Sequence, residues 1–189
     1  MKSIFYSCLS VLLVISTSCG KEDRPITELE EETITNLTLT FSPNDGNSVA
    51  IFSYEDLGAE SGLPPTISSE FLSTNTTYEM KVELLTRKTN PIKILTGKIR
   101  DEGVDYQVFM QVSPDNVFQT FEYTDQDMNG QPIGLNSNMV TSERFTSGTL
   151  KVSLIKNPDK SVPYIVGENL PVGIGGEKII EATFDVVIQ

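Results

Sequence analysis

Asp125, Asp127 and Asn129 place an oxygen-bearing side chain at every second position of the run DQDMNGQ, and Gly130 follows them. Calcium is bound by oxygen alone, and D-x-D-x-N-G is the opening of a calcium loop in which the glycine makes the sharp turn. Gln131 would add its backbone carbonyl at the next ligand position. The pattern breaks where a bidentate glutamate should close the loop, because Asn136 stands there. A closing carboxylate must then come from elsewhere, with Glu122 or Glu143 as candidates. The same residues also read as a β-hairpin. Phe118 to Thr124 forms its first strand, and Asn129–Gly130 is a two-residue turn at which both positions tolerate positive φ. On that reading the aspartates are solvated turn residues. The two readings are compatible, since calcium could sit on such a turn.

Composition removes most other chemistry. The 189 residues contain no histidine and no tryptophan. Without histidine there is neither the usual general base near neutral pH nor the commonest transition-metal ligand. Carboxylates remain, so chemistry of the glycosidase kind stays open in principle, but no pair of carboxylates can be placed across a cleft from spacing alone. Glu55, Asp56 and Glu60 fall in a glycine- and proline-containing stretch that reads as a loop. Arg100, Asp101, Glu102 and Asp105 read as a solvated segment ahead of a strand. Gly173 to Glu177 lacks the lysine and following helix of a phosphate-binding loop and reads as a turn. The net charge of −12 repels phosphates, so nucleic acid is not an expected partner.

The elements that must position these residues show a period of two. Leu37, Leu39 and Phe41 alternate with Thr38 and Thr40, and Tyr78, Met80, Val82 and Leu84 alternate with Glu79, Lys81 and Glu83. Tyr106 to Val112, Leu150 to Leu154 and Ile180 to Ile188 repeat the pattern. Half-buried strands require such alternation because successive side chains point to opposite faces. Breakers at 43–46, 63–65, 129–130, 157–160 and 173–176 separate the runs. The fold class expected is all-β, an antiparallel β-sandwich of immunoglobulin-like or Greek-key type. Lys93 to Glu102 is the one stretch with helical character, and Gly97, Ile94 and Ile99 count against it there.

The amino-terminal region differs in kind. Met1 to Ser3 is weakly positive, Ile4 to Ile15 is apolar, and Ser16, Thr17 and Ser18 are small. The apolar run is shorter than the roughly 20 residues of a membrane span, so residues 1–18 read as an export signal. Cleavage is expected between Ser18 and Cys19. Cys19 resembles the lipidated cysteine of a bacterial lipoprotein, with Ser16 in place of the usual leucine three positions earlier. Residues 19–32 then form the lipidated cysteine and an acidic tether, and residues 33–189 the β domain. At roughly 3.3 Å per residue the tether reaches up to about 40 Å. Lys21, Glu22 and Asp23 resemble the lysine-plus-acidic tag that sends Bacteroidota lipoproteins to the cell surface; a periplasm-facing anchor is the alternative. Once Cys8 leaves with the signal and Cys19 is acylated, no thiol is left for catalysis, zinc or disulfides.

ITNLTLTF, NTTYEMKVELL, DYQVFMQV, YTDQDMNGQPIGL and GGEKIIEATFDVVIQ together resemble a family of small flavobacterial lipoproteins. Members are often labelled "type 1 periplasmic binding fold superfamily" and are frequently encoded beside TonB-dependent receptors. The label implies two lobes of alternating strands and helices, whereas the period-two pattern predicts an antiparallel sandwich. The neighbourhood implies nutrient or metal capture at the outer membrane. The expected function is therefore a non-enzymatic, outer-membrane-anchored binding or accessory protein working with a TonB-dependent receptor. The alternative is a surface structural or adhesion module rigidified by calcium.

Overall fold

The computed structural model describes residues 33–46, 48–58 and 63–189. The signal, Cys19, the tether with Lys21, Glu22 and Asp23, and Glu60 lie outside the described residues.

Among the described residues ten strands form two antiparallel sheets. The larger contains β1 (Asn36–Pro43), β2 (Ala50–Glu55), β3 (Thr66–Ser69), β4 (Thr77–Thr86), β5 (Lys93–Ile94), β7 (Phe118–Tyr123) and β8 (Asn136–Thr141). Its order is β3-β2-β1-β4-β8-β7, with the short β5 added to β4. The smaller sheet contains β6 (Tyr106–Ser113), β9 (Thr146–Lys156) and β10 (Glu177–Ile188) in the order β10-β9-β6. All five runs picked out by alternation are strands. In β4 the even residues from Tyr78 to Thr86 are buried, except that Leu85 between them is also half-buried.

The inner faces of the two sheets share one hydrophobic core. Leu37, Leu39 and Phe41 of β1 lie in the same buried cluster as Val108 and Met110 of β6, Leu150, Val152 and Leu154 of β9 and Phe184 of β10. Phe52 of β2 meets Phe41 at 4.6 Å and Phe184 at 5.8 Å between ring centroids, so the aromatic contact crosses from one sheet to the other. A second, small cluster of Phe109, Ile155 and Ile174 lies on the outer face of the small sheet, where Val162, Tyr164 and Leu170 pack over it.

The Lys93–Glu102 stretch divides. Lys93–Ile94 pairs with Leu85–Thr86 as β5, and α1 (Thr96–Asp101) follows with Ile99 buried. Thr96 takes the Leu84 amide on its hydroxyl at 2.8 Å, which fastens the start of α1 to β4. Glu55 belongs to the end of β2 rather than to the following loop, and its carboxylate meets the Arg87 guanidinium at 3.3 Å.

Candidate functional site

Residues 124–135 connect β7 to β8 and carry the whole D-x-D-x-N-G run. Gln126 and Pro132 form an antiparallel bridge, Asp127 N–H donates to the Gln131 carbonyl at 2.8 Å, and Gly130 N–H donates to the Asp127 carbonyl at 3.0 Å. The turn is therefore a three-residue loop over 128–130 rather than the two-residue turn expected. Gly130 alone takes a positive φ, 77°, while Asn129 does not. That is the arrangement of a turn closed by a left-handed glycine.

The two aspartates serve different partners. Asp125 accepts the Gly134 amide on Oδ1 at 2.9 Å, and the Leu135 and Asn136 amides on Oδ2 at 2.8 and 3.2 Å. It thereby gathers three successive N–H groups where the chain enters β8. Asp127 accepts the Asn129 and Gln131 amides on Oδ1 at 2.8 and 3.0 Å, and the Lys160 ammonium on Oδ2 at 2.9 Å. The Asp127 and Lys160 side chains are 1% and 10% exposed, so the expectation of solvated aspartates is corrected for Asp127. Burial pushes the Asp127 carboxyl up, but hydrogen bonds from Lys160, Gln131 and Asn129 outweigh it and hold the group below its ordinary 3.8.

Lys160 reaches into the loop from the β9–β10 connection. Its ammonium also donates to the Gly103 carbonyl at 2.6 Å and the Pro132 carbonyl at 3.1 Å. One carboxylate and two carbonyls around a single positive charge are the kind of oxygen set that a hard cation uses. The protein fills it with its own ammonium, whose three N–H donors are each accepted by one of these oxygens. Asn129 and Gln131 are exposed, and the Gln131 carbonyl already accepts the Asp127 amide. Glu122 stands exposed on β7 and Glu143 exposed between β8 and β9. Among the described residues no three His, Cys, Asp or Glu side chains form a group that could hold a metal. The loop does not fit calcium: the position facing Asp127 is taken by Lys160, and Asp125 is turned to the 134–136 backbone.

What the loop does is join the sheets. The Ile133 carbonyl accepts Val108 N–H of β6 at 2.7 Å, and two residues later the Leu135 carbonyl accepts Val82 N–H of β4 at 2.9 Å. Gly134 lies between them at φ 82°, where a Cβ would stand 2.5 Å from the Val108 carbonyl oxygen. Tyr123 donates its hydroxyl to that same carbonyl at 2.7 Å. Burial, reinforced by the neighbouring Tyr164 hydroxyl, lifts Tyr123 well above the ordinary tyrosine range and keeps it a donor. Further along β6, Tyr164 donates to the Met110 carbonyl, while Gly167 exchanges 2.7 Å hydrogen bonds with Met110 and Val112.

The remaining acidic candidates are local fittings. Asp56 accepts the Gly58 amide at 2.7 Å and the Tyr54 hydroxyl at 3.4 Å. Gly173 to Gly176 forms a turn that leads into β10, and its Ile174 carbonyl accepts the Asp159 amide at 2.6 Å. Lys160, Tyr123 and Tyr164 escape a reading of the sequence because their partners are remote along the chain; Lys160 is 33 positions from Asp127. No protein-family model, curated protein or solved structure matches this chain.

Proposed function

We propose that this chain is an outer-membrane lipoprotein, anchored through Cys19 and exposed at the cell surface, that acts as a non-enzymatic binding or accessory protein beside a TonB-dependent receptor. The observation that carries the reading is the short apolar run Ile4–Ile15, followed by Ser16, Thr17, Ser18 and Cys19. Such a run is too short to span a bilayer, and acyl chains on Cys19 would replace it as the membrane attachment. The acidic segment after Cys19 then supplies reach. We read the two sheets as a Greek-key sandwich of immunoglobulin-like type. The order β4-β1-β2-β3 supports this, since a fourth strand returns beside the first of three consecutive ones.

Mass spectrometry of the membrane-extracted protein tests the anchor. The expected product begins at a diacylated or triacylated Cys19, and Cys19→Ser is released from the membrane fraction. An unmodified polypeptide that starts elsewhere ends the proposal. Mild-detergent extraction tests the partner: a receptor barrel should co-purify with the wild type, and isolation from every barrel would count against the accessory role.

A further inference from the structure

We propose that the free edge of β10 docks an extended segment of another protein bearing lysine or arginine, which joins the small sheet as a fourth strand along Glu181–Asp185. The proposal stands apart from the lipid anchor and the receptor, since it uses only the β domain.

Strand geometry sends the backbone groups of alternate residues to opposite edges. The Val187 carbonyl accepts Leu72 N–H at 3.0 Å, and Gln189 N–H donates to the Leu72 carbonyl at 2.9 Å, so the odd-numbered residues of β10 face away from β9. The register runs without a bulge from Ile180 to Ile188. Glu181, Thr183 and Asp185 therefore point their N–H and C=O groups to the same outer edge. Among the described residues no other segment hydrogen-bonds to the main chain of these three.

The opposite edge of the sheet is closed. On β6 the outward groups of Val108, Met110 and Val112 are met by Ile133, Tyr123, Tyr164 and Gly167. Natural sheets block exposed edges because an open one templates another strand. Among the described residues this chain blocks β6 and leaves the outward groups of Glu181, Thr183 and Asp185 open.

The surroundings select the occupant. A cleft of about 260 Å³ lies between β10 and the segment that includes β3, with Ile67, Ser69 and Phe71 on one side and Thr183, Asp185 and Val187 on the other. Ile67 is 47% exposed and Phe71 61% exposed, which gives a strand's side chains apolar surface to cover. Glu70 lines the same cleft and accepts the Ile51 amide at 2.7 Å. No lysine or arginine among the described residues pairs with Glu70 or Asp185. Backbone pairing would supply affinity, and the two carboxylates would select basic side chains. A second copy is a poor occupant: antiparallel pairing centred on Thr183 sets Glu181 of each strand against Asp185 of the other, and like charges directly opposite destabilise a sheet.

The test titrates the full chain in detergent with a fluorescent peptide of sequence Thr-Lys-Val-Lys-Val-Lys-Thr and reads anisotropy. Its glutamate counterpart and a version N-methylated at alternate residues are run in parallel. The lysine peptide should bind at least tenfold more tightly than either, and amide exchange at Thr183 and Asp185 should slow tenfold or more. Asp185→Lys should reverse the preference toward the glutamate peptide. Thr183→Pro should weaken binding at least tenfold, since it removes an outward N–H and leaves the ladder to β9 intact. If Thr183→Pro does not fold, the charge reversal and the exchange map decide. Equal binding of all three peptides, protection confined to other strands, or self-association through β10 that excludes the peptide would each overturn the proposal.

Discussion

Lys160 is the residue whose removal should be felt most in the connecting loop. Lys160→Met roughly keeps the length of the side chain but leaves Oδ2 of the buried Asp127 carboxylate and the Gly103 and Pro132 carbonyls without the ammonium that donates to them. Stranding such groups costs about 1–3 kcal/mol, to be read as a lower midpoint in urea unfolding. Millimolar calcium should leave the melting temperature of the wild type unchanged, because the ammonium holds the place a cation would need; a calcium-dependent rise would revive the metal reading. The same pair sets a pH signature. Asp127 is more acidic folded than unfolded, so its contribution is present above its ordinary 3.8 and is lost as pH falls through the lower folded value. Melting curves should show the Lys160→Met deficit at pH 6 and its shrinkage as pH drops below about 4. At this scale the sequence is half legible. Oxygen ligands at alternate positions mark Asp125 and Asp127 as structurally busy, but nothing local to residues 125–131 announces that the cation Asp127 meets lies in another loop.

Among the elements, the connection that bridges β4 and β6 depends on Gly134. Gly134→Ala drives a Cβ to 2.5 Å from the Val108 carbonyl and 2.9 Å from the Tyr123 ring at a φ of 82°. Gly46 has nearly the same φ, 81°, with nothing within 4 Å of a Cβ, so it isolates the backbone cost of about 1–2 kcal/mol. Gly134→Ala should destabilise by at least about 2 kcal/mol more than Gly46→Ala in the same denaturation assay; equal effects would mean that the close approach to β6 carries no weight. The strongly alternating strands were readable because their buried positions are apolar. β8 was not, since two of its buried positions are Ser137 and Thr141. Thr141 is bonded to the Ser73 and Thr76 backbone at 2.6 and 3.2 Å, while the Ser137 hydroxyl has no partner among the described residues. β3 escaped for the opposite reason: its four residues are largely exposed, and β2 beside it gives the sheet its buried Phe52. Polar burial and solvent exposure both erase the period of two on which a strand reading depends.

Across the whole molecule, the one cluster that draws side chains from both sheets determines how they come apart. If the small sheet depended only on its own ladders, its three strands would melt by themselves, since few-stranded sheets without a covered face are marginal in water. Phe184 of β10 instead packs on Phe52 of β2, which in turn packs on Phe41 of β1. All three rings are fully buried. Either sheet that opened alone would expose the other's apolar face. Phe52→Ala and Phe184→Ala should each lower stability by about 3–5 kcal/mol. The double variant should show a coupling of about 0.5–1.5 kcal/mol for the lost ring pair. Amide-exchange protection read separately on β4 and β9 should fall by the same factor in either single variant, because unfolding is shared. Additive losses, or a β9 that exchanges faster in Phe184→Ala while β4 keeps its wild-type protection, would mean that the sheets unfold independently and that the common core is contact without cooperation.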